Sequence, residues 1–218
     1  GHNSAQVLYY PAENLSARAD EFIERLKSFG QTHTAAKAEV ETSIRRIFWY
    51  AAQSDKFDGA VHQTKSAHVT LAMNEPIGVM GIACPVARPL LGFVSLVLPA
   101  IAMGNRVVAV PSQSHPLAAT DLYQVIETSD VPGGVVNIVT GERDQLAKTL
   151  AEHDDVDAMW YFGTAAGGRM VEEASAGNLK QTWVEDGAAR DWAGPEGQGQ
   201  TFLTRATQVK NIWVPYGE

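Results

Sequence analysis

The run Ile77-Gly78-Val79-Met80-Gly81-Ile82-Ala83, followed by Leu90 to Met103 and then by Arg106-Val107-Val108-Ala109-Val110, decides the fold. The first and third pieces are short and apolar, as fully buried strands are. Glycines weaken the first piece as a strand but let another backbone come close. The middle piece reads as a helix stopped by Gly104. Downstream the alternation repeats. Pro116 to Glu127 reads as a helix with Pro116 at its first turn. Val131-Pro132-Gly133-Gly134 is a loop, Val135 to Val139 a strand and Glu142 to His153 a helix. Ala158 to Phe162 is a strand, Arg169 to Ala176 a helix and Gln181 to Glu185 a strand. Strands alternating with helices over short connections define an α/β class, a largely parallel, doubly wound sheet.

Working outward, the N-terminal segment predicts a pair of amphipathic helices. Leu15, Phe22, Ile23, Leu26 and Phe29 share one face, and Gly30 ends it. Val40, Ile44, Ile47, Phe48 and Ala51 repeat the signal, with Arg45 and Arg46 pointing away from the stripe. Val69, Leu71 and Met73 alternate with Thr70 and Ala72, predicting a half-exposed strand broken at Glu75-Pro76. Asp186 to Gln200 is glycine-rich and reads as a linker or surface loop, before a last alternating strand over Val209 to Val214.

Composition narrows the partners. The 218 residues carry 17 basic and 25 acidic side chains, a formal charge of −8, so neither a general nucleic-acid binder nor an anionic-membrane binder is expected. A single cysteine makes no internal disulfide and fits a reducing cytoplasm. Leu90 to Met103 is shorter than the roughly 18 residues expected of a spanning helix. Gly1-His2-Asn3-Ser4 lacks an apolar h-region and an initiator methionine, as expected of a tag remnant on a chain cut from a longer parent.

Four places bear on chemistry. Gly163-Thr164-Ala165-Ala166-Gly167-Gly168 joins an apolar strand to a helix, where backbone N–H groups and the Thr164 hydroxyl can hold a phosphate; a tight turn needing glycine for packing is the other reading. Glu185 ends a strand at the presumed carboxyl edge, as a general base or as a solvated carboxylate, with Asp186 adding repulsion. Cys84 precedes Pro85 as an apolar filler, or as a thiolate with Arg88 nearby. The six histidines share no metal-ligand spacing, and no metal site is expected.

The ordered motifs Glu75-Pro76-Ile77-Gly78-Val79, Pro85-Val86-Ala87-Arg88-Pro89-Leu90, Pro99 to Asn105, Pro111 with Pro116-Leu117, Pro132 to Asn137, Phe162-Gly163 and Glu185-Asp186-Gly187 resemble the aldehyde dehydrogenase superfamily. The resemblance covers most of the chain. It implies a Rossmann-like cofactor domain with a β oligomerisation arm, and NAD- or NADP-dependent oxidation of aldehydes. Glu185 matches the family's catalytic glutamate. Gly163, Thr164 and Gly168 match its phosphate-side turn, and Pro111 the centre of its ribose-binding motif.

The departures bear on function. The oxyanion-hole asparagine is replaced by Ala87, and losing one such donor typically costs roughly 100- to 1000-fold in rate. Val110 and Gln113 stand where the family has its ribose-binding lysine and glutamate, so weak binding of NAD or NADP is expected at most. No cysteine follows Glu185, where the nucleophile belongs. The chain thus resembles the shortened, degenerate second module of family-sixteen aldehyde dehydrogenases. It divides into a cofactor domain at 1–185 with an oligomerisation hairpin at 68–83, a linker at 186–206 replacing the catalytic domain, and an oligomerisation strand at 207–218. The implied partners are a second copy, as a dimer, and the parent's catalytic module. Three roles stay open: a non-catalytic scaffold, an enzyme fragment completed by another module, and an NAD(P)-sensing domain.

Overall fold

A computed structural model describes residues 2–185, 187 and 189–216. Helices α1 (His2–Ala17), α2 (Ala19–Ser28) and α3 (His33–Gln53) come first. They are followed by β1 (Ala60–His62), β2 (His68–Pro76), β3 (Val79–Ala83), α4 (Pro89–Ala102), β4 (Arg106–Val110) and α5 (Leu117–Glu127). Then come β5 (Val136–Ile138), α6 (Arg143–Glu152), β6 (Ala158–Phe162), α7 (Ala165–Ala174), β7 (Gln181–Glu185), α8 (Gln200–Arg205) and β8 (Thr207–Pro215). Among the described residues no helix is long and apolar enough to cross a membrane.

The main sheet is parallel, in the order β5-β4-β3-β6-β7. One face packs on α4, every residue of which is buried, and α4 in turn lies under α3. A helix apolar on all sides requires such a double cover. The other face carries the smaller cluster of Ala83, Met159 and Tyr161 against Ala147, Ala151 and Val171 of α6 and α7. Gly81 of β3 serves that face: a Cβ there would lie 2.6 Å from Met159 Sδ, so glycine lets α6 settle onto the strand.

Helix α4 shows how the family-like motifs act in folding. Gly104, at φ +91°, ends the helix, with its N–H on Ile101 O (3.0 Å) and the Asn105 N–H on Ala100 O (3.2 Å). Asn105 is 1% exposed; its Oδ1 accepts from Ile77 N and Gly78 N, and its Nδ2 donates to Ala100 O and Ala206 O. One amide therefore ties the end of α4 to the β2–β3 connection and to the start of β8. At the other end the Glu39 carboxylate, 1% exposed, accepts from Leu90 N and Leu91 N, where the helix N-terminus favours negative charge.

Several expectations need correction. The N-terminal apolar face is interrupted at Arg18, so three helices stand where two were expected. Arg46 is not solvated. It is 2% exposed, and its Nη1 donates to Ser95 Oγ (2.6 Å) and Trp192 O (2.6 Å). Helix α7 begins at Ala165 rather than Arg169, because Thr164 caps it. Strands β2 and β3 lie in different sheets, so 68–83 is no hairpin; β2 pairs antiparallel with β1 and β8. Strand β2 does stop at the expected break, running through Glu75 and ending at Pro76. The segment after Glu185 is not a solvated linker: Trp192, Phe202 and Leu203 are buried in the main core.

The alternation in β2 is inverted as well. Thr70 and Ala72 are the buried residues, whereas Val69 and Met73 are exposed. Register places Val61, Leu71 and Ile212 in one row across the three-stranded sheet, and Val69 beside Val214 in the next. Residues directly opposite share a face. That face is therefore apolar over five aliphatic residues in two rows and is turned outward.

Candidate functional site

Ligands of open α/β sheets gather outside the carboxyl ends of the strands, where the strand order reverses. Here the reversal falls between β3 and β6. A cleft of about 310 Å³ lies at that point, walled by Pro85, Val86 and Ala87 after β3, by Phe162, Gly163 and Thr164 after β6, and by Glu185. The fold thus brings together Ala87, Gly163, Thr164 and Glu185. The Ala87 methyl offers no donor to the cleft. Pro111 and Gly168 lie off its wall: Pro111 is buried, and Gly168 packs on β7, with space for a Cβ 3.5 Å from Val184 Cβ. Asp186 and Ala188 lie outside the described residues.

The glycine turn is closed from within. Thr164 caps α7 by accepting from Gly167 N (3.0 Å). Tyr161, wholly buried, brings its hydroxyl into the turn, where it accepts from Thr164 N (3.3 Å) and donates to Asp144 Oδ1 (2.7 Å). Arg143 Nη2 donates to the Tyr161 hydroxyl oxygen at 3.3 Å. A Cβ on Gly163 would stand 2.5 Å from Tyr161 Oη, and one on Gly167 1.9 Å from it. Both glycines make room for a tyrosine tip, which favours the packing reading of this turn over the phosphate-cradle reading.

The ribose side is committed elsewhere too. Val110 is buried, and Gln113 Oε1 accepts from Arg143 N (3.1 Å) at the start of α6. Cys84, 1% exposed, is the apolar filler of the two readings, and burial pushes its thiol pKa up, opposed in part by Arg143. The thiolate reading lacks what it needs, since Arg88 pairs instead with Glu39 (3.8 Å).

Glu185 is neither solvated nor free. Its Oε1 accepts from Arg190 Nε (2.8 Å) and Nη2, and the two side chains are 15% and 18% exposed. Arg190 Nη1 donates to Glu196 O (2.6 Å). A general base must be free to take a proton from substrate, whereas this carboxylate is held by a forked guanidinium.

Sequence reasoning missed Tyr161, Arg143 and Arg190. Tyr161 lay inside a uniformly apolar strand, and Arg190 inside a segment read as polar linker. One signal was available: Trp192 among the glycines and alanines of that segment is an aromatic that calls for burial.

The fold and cleft define an α/β protein with a Rossmann-like parallel sheet. The aldehyde dehydrogenase family matches residues 2–192. An aldehyde dehydrogenase of Escherichia coli described as NADP/NAD-dependent, PuuC, is 33% identical over 184 residues, 83% of this chain and 37% of that protein. An aldehyde dehydrogenase of Agaricus bisporus is 35% identical over 191 residues, 86% of this chain and 38% of that protein. Among solved structures, PnpE of Pseudomonas sp. WBC-3 superposes with a TM-score of 0.80 at 27% identity, covering 84% of this chain and 38% of PnpE. An NAD-dependent aldehyde dehydrogenase of Sinorhizobium meliloti gives 0.81 at 26% identity, covering 85% of this chain and 37% of that one.

This chain belongs to the aldehyde dehydrogenase family. It spans less than two fifths of the length of these relatives. As arranged, its glycine turn does not fit a dinucleotide phosphate. The Thr164 N–H that would face one already donates to Tyr161, and the space that the glycines leave is filled by the tyrosine ring.

Proposed function

We propose that this chain is a non-catalytic structural module of an aldehyde dehydrogenase-type protein, similar to the degenerate second module of family-sixteen enzymes. It acts by self-association through the three-stranded sheet and by docking on a catalytic module. The observation that carries the reading is the outward apolar face of that sheet. Val61, Val69, Met73 and Val214 are 72%, 40%, 44% and 47% exposed on one side of paired strands. A contiguous apolar sheet face marks a surface meant to be covered. Strand β8 also stands at the edge of its sheet, a template for further pairing. A second copy of the chain is the occupant this reading commits to, in a reducing compartment such as the cytoplasm.

The non-catalytic part of the reading is supported by Ala87 at the oxyanion position, by the Glu185–Arg190 pair, and by Tyr161 in the glycine turn. Sedimentation at micromolar concentration, calorimetric titration with NAD and NADP, and an aldehyde oxidation assay in the same buffer test it together. Dimers with no turnover are expected. A monomer removes the self-association role, NADH production removes the scaffold reading, and saturable binding without turnover favours nucleotide sensing.

A further inference from the structure

Arg190 sits in a cage of aromatic rings drawn from four parts of the chain. Its guanidinium carbon lies 5.7 Å from the ring centroid of Phe162, 5.5 Å from Trp183, 5.6 Å from Trp192 and 5.6 Å from Phe202. The walls brace one another edge to face, with Phe162 on Trp183 at 5.2 Å, Phe162 on Trp192 at 5.4 Å and Trp183 on Phe202 at 5.2 Å. Glu185 supplies the carboxylate and Glu196 O a carbonyl acceptor. Aromatic faces around a cation, with a carboxylate oxygen that takes two N–H bonds from one edge of it, are the elements of guanidinium recognition.

We propose that this cage is a guanidinium-binding site whose resident ligand is the chain's own Arg190. Through it Arg190 and Trp192 are held against Phe162 and the end of β7, and Glu185 is sequestered. The side-chain pair separates two clefts, the 310 Å³ cleft described above and one of about 400 Å³ walled by Pro195, Glu196, Gln198 and Thr201. Removing the Arg190 side chain joins them and opens the cage to a small cation from solvent. The 5.5–5.7 Å spacing and the forked carboxylate bond suit a planar guanidinium, whereas a compact ammonium lacks the fork.

The test compares the full chain with Arg190→Ala, read by thermal melting and tryptophan fluorescence with and without ethylguanidinium. Loss of the ion pair and its ring contacts is expected to lower the melting temperature by about 5–10 °C. Millimolar ethylguanidinium should restore about 3 °C or more saturably in the variant and not in the parent, and ethylammonium at equal concentration should not. Equal melting of variant and parent, or equal rescue by the two cations, overturns the site. If Arg190→Ala does not fold, Arg190→Lys is read instead. It should melt at least about 3 °C below the parent, and parent-like melting overturns the site. Variant and parent are melted at one equal concentration, so association enters both alike, and the guanidinium-specific difference fails separately from the scaffold reading.

Discussion

Tyr161 and Gly167 meet inside the strand-to-helix turn: the tyrosine oxygen occupies the space in which a Gly167 side chain would begin, 1.9 Å from the ideal Cβ position. A motif read from sequence as a phosphate cradle is thereby filled by a neighbour six residues upstream, on the strand that feeds it.

Gly167→Ala is expected to destabilise the chain by roughly 1–3 kcal/mol through overpacking in urea unfolding. Tyr161→Ala is costly by itself, because it removes a buried ring and leaves Thr164 N–H without its acceptor. The double variant should cost less than the sum of the two. Additive losses would show that the collision is not what the glycine avoids.

Glu39→Ala leaves Leu90 N–H and Leu91 N–H buried without their acceptor and removes the partner of Gln31 Nε2 (2.8 Å). A loss of about 3 kcal/mol is expected in the same unfolding measurement. Glu39→Gln keeps one acceptor oxygen and should lose clearly less. Equal losses would mean that the charge, rather than the capping geometry, holds α4 in place.

Cys84 titrates against folding. Burial raises its folded pKa above the ordinary value of 9.0, so the protonated thiol is the form that the fold accommodates. Its stabilising contribution is complete below pH 9.0 and is lost as pH rises from there toward the folded pKa. The slope is about 1.4 kcal/mol per pH unit. Tyr50, raised in the same direction by burial, adds its own loss above pH 10.0. Unfolding free energies measured between about pH 8 and about pH 11 should decline in the parent and decline less in Cys84→Ala. A thiol reagent should label the parent only after denaturant is added.

Val69 and Val214 face each other across β2 and β8, 40% and 47% exposed. Lysine at both positions should abolish sedimenting dimers while changing monomer stability by no more than about 0.5 kcal/mol, as exposed sites usually do. Dimers that survive the double change would place the association surface elsewhere.

Much of the sheet was legible because its central strands are short apolar runs bounded by turn residues, β6 being buried throughout. β4, β6 and β7 fall on the residues that their apolar runs indicate, and α4 on the long run that Gly104 ends. The three-stranded sheet was harder to read. In β2 the alternation was visible, but which set faced inward was not, since a period of two does not say which face is covered. Arg46 was misplaced because a charged residue beside an apolar stripe is ordinarily solvated. A helical row of polar residues, Glu39, Ser43, Arg46 and Tyr50, was the available sign that α3 buries a second face.

Of the candidate site, its place on the fold was legible and its state was not. The order of apolar runs, glycines and prolines in the sequence by itself determined the parallel sheet, the glycine turn after β6 and the carboxylate at the end of β7. Local periodicity and backbone geometry act within a few residues, and a linear chain displays them directly. Only the tertiary structure decided that Tyr161 fills the turn, that Arg190 holds Glu185 within four rings, and that an apolar sheet face is left outward. Each of these depends on side chains from separate elements reaching one small volume. The free energy of such a meeting comes from packing and desolvation, and neither exists until the chain has folded.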